Sequence, residues 1–147
     1  MELHPFFVHF PIALIVTAAL LDWVRWFSDR ARLLATGFWG GTTPLLILAF
    51  LGAAAAVTTG LLDEDRAERG NAVLHDLIET HQTLAFITAG LLAVVVLWRV
   101  ALRGAFPQRS SVPYLILLLA VVATVGIGAY YGGMMVYSHG AGVEIVR

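Results

Sequence analysis

Four apolar stretches, each of roughly twenty residues or more, leave this chain few ways to fold. They run over about 5–27, 42–62, 77–98 and 112–137. A helix needs about twenty residues to cross a hydrocarbon core some 30 Å thick. In lipid, every backbone N–H and C=O has to be satisfied inside the segment, so each stretch is expected to be helical. None alternates with the period of two that barrel strands require. Composition closes off the soluble alternative. Apolar residues make up 59% of the 147 positions and charged residues 13%, a surplus of apolar surface that a chain this short could not hide from water.

The links agree. Residues 28–41 are polar and contain glycine, 63–74 are charged, and 99–111 are broken by Gly104 and Pro107. Pro113 suits the first turn of the last helix. Short links force antiparallel neighbours, so the expected fold is an all-α, up-down-up-down integral membrane bundle forming one domain over 1–147. Glycines and alanines in the second and fourth segments, such as Gly52 to Ala56 and Gly126 to Gly133, permit close helix approach or make room for a flat cofactor.

Orientation is read from arginine, the only basic residue type besides histidine. One side of the bundle carries Arg25, Arg30, Arg32, Arg99, Arg103 and Arg109; the other carries Arg66, Arg69 and Arg147. The richer side is expected to be cytoplasmic, with both termini outside the cytoplasm, in a bacterial inner membrane. Trp23, Trp26 and Trp39 fall near the cytoplasmic boundary, as an aromatic belt would. No basic region precedes the first stretch and Asp22 and Arg25 follow within it, so it is expected to stay as a span. A net charge of −1 gives no footprint for nucleic acid. With no cysteine, disulfides, iron–sulfur ligation, c-type haem attachment and thiol catalysis are excluded within the chain.

Chemistry enters with the histidines. His4 and His9 open the first helix, His75 and His81 open the third, and His139 follows the fourth, so all five stand at the outward end. His9 lies sixteen residues before Arg25 and His81 eighteen before Arg99, roughly 24 and 27 Å along a helix. Both are thereby expected at or just inside the outer boundary. Ionisable groups at that depth face the bundle interior or a polar cavity. Separations of five and six residues put neither pair on one helix face, so any site is built between helices. Pro5 and Pro11 bracket His9, and the helix proper is expected to begin near Pro11, leaving His4 on a bent lead.

From spacing, three readings stay open: no ligand, haem held by imidazoles from different helices, and a compact Zn or Cu site using three or four imidazoles with Asp76 or Glu79. Phe6, Phe7, Phe10, Phe86, Tyr130 and Tyr131 are expected to wall a haem pocket. Asp76 and Glu79 have the simpler role of favouring a helix N-terminus. Asp22 is expected to form a local ion pair with Arg25, three residues on.

The opening His4-Pro5-Phe6-Phe7-Val8-His9-Phe10-Pro11-Ile12-Ala13-Leu14, the ending Val136-Tyr137-Ser138-His139-Gly140-Ala141-Gly142-Val143 and His81 between them resemble an uncharacterised bacterial family of small four-helix membrane proteins, labelled a domain of unknown function. The resemblance spans nearly the whole chain. It implies that His4, His9, His81 and His139 form the site and ranks His75 last. Some relatives are joined to Rieske-type iron–sulfur domains, which implies a redox setting. The resulting expectation is a b-type cytochrome-like electron carrier, rather than a stand-alone enzyme, with one or two haems on those four histidines. Its expected partners are the lipid bilayer, a redox protein or quinol, and a second copy or a larger complex. A Cu or Zn protein and a structural subunit of a membrane complex are the alternatives.

Overall fold

The computed structural model describes residues 4–27, 41–67 and 72–140, with the side chains of 4–6, 63–67 and 72–73 excepted. Arg30, Arg32, Trp39, Arg69 and the tail from Ala141 lie outside the described residues. Four long helices carry the fold: α1 (His4–Phe27), α2 (Thr43–Ala67), α3 (Ala72–Ala101) and α4 (Ser111–His139), with a single 3₁₀ turn, Gln108–Ser110, leading into α4. Each holds a window long and apolar enough to span a bilayer. Large side chains point outward on every helix, including Leu20, Phe27, Leu51, Leu97 and Ile116, all more than half exposed. Such a surface is stable facing lipid tails and not water.

Helices pack in sequence. α1 lies chiefly on α2 and α3 on α4, while α2 against α3 and α4 against α1 close the ring. α1 and α3 therefore stand diagonally across the bundle axis, as do α2 and α4. The inward stripes step by three and four residues. On α3 the stripe reads Leu74, Ile78, His81, Ala85, Thr88, Leu92, Val95, Arg99, buried or half-buried throughout. On α1 it includes Ile15, Ala18, Ala19, Asp22 and Arg25. This 3.5-residue spacing is the seam of nearly parallel packed helices.

Pro11 sits inside α1, not at its start. The expected bend at Pro11 is therefore corrected: the helix runs unbroken from His4. A proline in a helix removes one backbone donor and crowds the preceding turn, and neighbouring helices in a membrane can absorb that. Here α2 does so with Gly52. A methyl group on Gly52 would stand 3.2 Å from Pro11 Cδ and 3.4 Å from Phe10 Cδ1, so the missing side chain leaves room for the pyrrolidine ring.

The bundle differs along its length. The end that carries the 102–110 link, called the arginine end below, is solid. Ile15, Ala18, Leu46, Ala49, Leu92, Val95, Leu118 and Val121 fill it. The link itself folds inward. Arg103 and Gly104 adopt left-handed conformations (φ 52° and 79°), which terminate α3 and turn the chain. Phe106 is thereby buried beneath the helices, edge-on to Tyr114 with ring centroids 5.6 Å apart. The opposite end, where the histidines cluster, is hollow.

Beneath the core, at the arginine end, lies a buried polar cluster. Asp22 and Arg99 are both fully buried. Thr42 donates to Asp22 Oδ1 at 2.7 Å, and Tyr114 donates to Asp22 Oδ2 at 2.6 Å. Two adjacent threonines relay Arg99. Its Nη2 donates to Thr42 Oγ1, which passes its own proton to Asp22, and its Nε donates to Thr43 Oγ1, which in turn donates to the Gly104 carbonyl. Arg99 Nη1 lies 3.8 Å from Asp22 Oδ2, a Coulombic contact too long for a hydrogen bond. Arg25 and Arg99 both approach the Phe106 ring, at 5.5 and 5.9 Å from its centroid.

One expectation is widened and one corrected. Asp22 lies within the electrostatic reach of Arg25, three residues on, but the α1 stripe turns both into the bundle, where Asp22 also meets Thr42, Arg99 and Tyr114. Arg99 is not a flanking charge in water, because α3 continues to Ala101 and carries it inward. A charge in a low-dielectric site has to be paired and hydrogen-bonded; the cluster gives Asp22 both, and of the Arg99 nitrogens Nε and Nη2 are hydrogen-bonded while Nη1 makes only the Coulombic contact.

Candidate functional site

The hollow end encloses a cavity of about 560 Å³ to which all four helices contribute. Small-molecule and cofactor sites fall in the range of about 300–1,000 Å³. The wall is mostly apolar, with Ile12, Ile15, Val57, Ile78 and Val125 among its residues. Its α4 side includes four small residues, Gly128, Ala129, Gly132 and Gly133, between larger ones such as Val125 and Met135. Its polar groups are few and come from His9, His81, Gln82, Thr88, Thr124 and Tyr137. Among the described residues, no Arg, Lys, Asp or Glu lines it.

His9 and His81 both stand on this wall. They come from α1 and α3, the diagonal pair, so their imidazoles reach the cavity from different sides. His9 is exposed and His81 half-buried. The His81 ring lies against the α4 backbone. Its Nδ1 is 3.0 Å from the Gly128 carbonyl oxygen. A carbonyl only accepts, so Nδ1 carries the proton in this bond, and in the neutral ring Nε2 is the nitrogen with the lone pair. A methyl group on Gly132 would stand 3.2 Å from His81 Cε1.

His75 and His139 are not among the lining residues. His139 closes α4 and is half-buried, with Nδ1 3.3 Å from the Met134 carbonyl. Gly140, left-handed at φ 66°, caps the helix directly after it. The fourth helix thus includes His139, where the apolar pattern ended it at Tyr137. His75 is exposed on the first turn of α3. His4 is the first residue of α1, and its side chain lies outside the described residues. Among the described residues, no three of His, Asp and Glu are grouped so as to share a metal ion. Asp76 and Glu79 are exposed.

The aromatic wall differs from the expected one. Phe86 lines the cavity, joined by Tyr137, while Phe10 and Tyr130 are 55% and 66% exposed and not among its lining residues. Tyr131 borders a separate shallow groove with Glu79 and Thr83. Phe6 falls outside the described side chains. Sequence reasoning missed Gln82 and Thr88. The signal was present for Thr88, which lies seven residues beyond His81 on the α3 stripe, two turns along the same face.

Among the described residues the cavity suits a largely apolar guest that imidazoles could hold: His9 and His81 reach it from diagonal helices, and small residues of α4 widen one side. No curated protein and no solved structure matches the chain. Its likeness is to a sequence family, described as a predicted membrane protein and matched over residues 1–145. With nearly the whole chain covered and four membrane-length helices in the fold, this protein belongs to the DUF2231 family of predicted membrane proteins.

Proposed function

We propose that this protein is a b-type cytochrome-like electron carrier of the membrane, with haem held in the cavity between His9 and His81. The observation that supports the reading is His81 on the cavity wall with its Nδ1–H given to the Gly128 carbonyl, the tautomer in which Nε2 carries the lone pair. Imidazoles that ligate iron or zinc are generally fixed through their second nitrogen in this way. Bound haem would supply one-electron chemistry; the chain would supply ligands, burial and a hydrogen bond that tunes the iron. His4 and His139 stand at the same end of the bundle and complete the four-histidine set that a second haem would use.

An oxidised-minus-reduced optical spectrum of the detergent-purified protein, expressed with haem supply, tests this. Sharp low-spin b-type bands on reduction are expected. A colourless protein after haem supplementation would overturn the reading.

We further read the arginine end as cytoplasmic and the histidine end as facing outward, on the basis of arginine placement. The chain has no cysteine, so single-cysteine labels report cleanly. Ser138→Cys should react with a membrane-impermeant maleimide in intact cells and Gln108→Cys only after lysis. The reverse pattern would invert the topology. Electron exchange would then take place with a redox protein or with quinol on the outer side.

A further inference from the structure

Resting on the haem reading above, we propose that Gly132 and Gly128 of α4 are the positioning residues for His81, together fixing it as a single tautomer protonated at Nδ1, with the lone pair on Nε2. Two contacts make the seat. The Gly128 carbonyl receives Nδ1–H at 3.0 Å. Four residues on, Gly132 offers a bare backbone to the ring, where a methyl group would meet Cε1 at 3.2 Å and Nδ1 at 3.6 Å. Both distances concern the same edge of the imidazole, so a side chain at Gly132 would push that edge away from the carbonyl that holds it. Gly128 and Gly132 are one helical turn apart and face α3 together. The seat is specific to this pair. On the same helix a methyl group at Gly126 would meet nothing within 4 Å.

The chemical consequence follows from the bond. A neutral imidazole in water exchanges freely between its two tautomers. Donation from Nδ1 to a carbonyl selects one and raises the basicity of Nε2, strengthening its hold on a metal. It also favours the more oxidised, more positive iron, so the seat lowers the potential of the site. A ring released from the carbonyl would lose both effects.

The test begins on haem-free protein in detergent, with ¹⁵N-labelled histidine, at a pH where the imidazoles are neutral. His81→Ala assigns the resonance. The ring of the unaltered protein is expected as one tautomer, protonated at Nδ1. Gly132→Ala should shift it toward a mixture, and Gly126→Ala should leave it unchanged. A His81 ring protonated at Nε2 in the unaltered protein, or one unmoved by Gly132→Ala, would overturn the proposal. If Gly132→Ala fails to fold, the tautomer of the unaltered protein still decides. On haem-loaded protein, Gly132→Ala should lower haem affinity roughly 10–100-fold and raise the midpoint potential. Failure of the haem reading is seen separately, as a colourless sample in which His81 nonetheless keeps its single tautomer.

Discussion

Arg99→Ala is expected to destabilise the folded bundle by about 3–5 kcal/mol, the usual cost of removing one member of a buried ion pair. The loss comes less from the missing guanidinium than from what it leaves behind. Asp22 remains fully buried without the Arg99 charge, still accepting from the hydroxyls of Thr42 and Tyr114. The same reasoning applies to Asp22→Ala, which strands Arg99 among Phe106, Tyr114 and two threonines. Replacing both charges by apolar residues of similar size, as in Asp22→Leu with Arg99→Met, should recover most of the loss, because desolvation then disappears with the charges. Unfolding in mixed detergent, measured on the two single variants and the double, forms a mutant cycle. Single variants that cost less than about 1 kcal/mol, in the range of exposed pairs, would mean that this cluster is hydrated and not sealed.

His81→Ala and His9→Ala should each abolish the low-spin haem spectrum while the helices remain folded, as circular dichroism would report. Each substitution removes one axial nitrogen and enlarges a cavity already of about 560 Å³. Added imidazole should enter the space and restore the bands, which separates a lost ligand from a lost fold. His75→Ala serves as the comparison. Its side chain is exposed and not among the lining residues, so the spectrum should be unaffected. Full haem retention in both His9→Ala and His81→Ala would remove that pair from the site and direct attention to His4 and His139.

Much of the architecture was legible because membrane folding makes a simple demand: backbone groups must be satisfied within each span, so length and hydropathy announce helices. Helix ends were less legible. Hydropathy falls before the helix does, and α3 carries Arg99 on inside the bundle to end at Ala101. Pro11 misled because proline is read from its effect on an isolated chain, while the glycine that accommodates it lies on another helix. The polar cluster was hidden for a related reason. Asp22 and Tyr114 are 92 positions apart, and nothing local to either predicts the other, whereas Arg25 stands close by in sequence and offers an obvious but incomplete partner.

The cavity was legible in half. Imidazoles at one end of the bundle were evident from spacing, and the assignment of two of them to one cavity follows from diagonal placement that no single helix encodes. His81 occupies the same stripe as Thr88, Leu92 and Val95, so its inward direction is written in the 3.5-residue period of α3. The direction of His9, beside the stripe on α1, is not.

The plug formed by Phe106, Tyr114 and the Asp22–Arg99 cluster makes this bundle a cup rather than a tube. From Thr88, at the inner wall of the cavity, to Arg99 is about 16 Å along α3, and that length is packed with aliphatic side chains. Among the described residues that packing leaves no polar lane for water or ions, so a guest could enter and leave the hollow without opening a path through the bundle, and the barrier between the two sides of the membrane would stay intact.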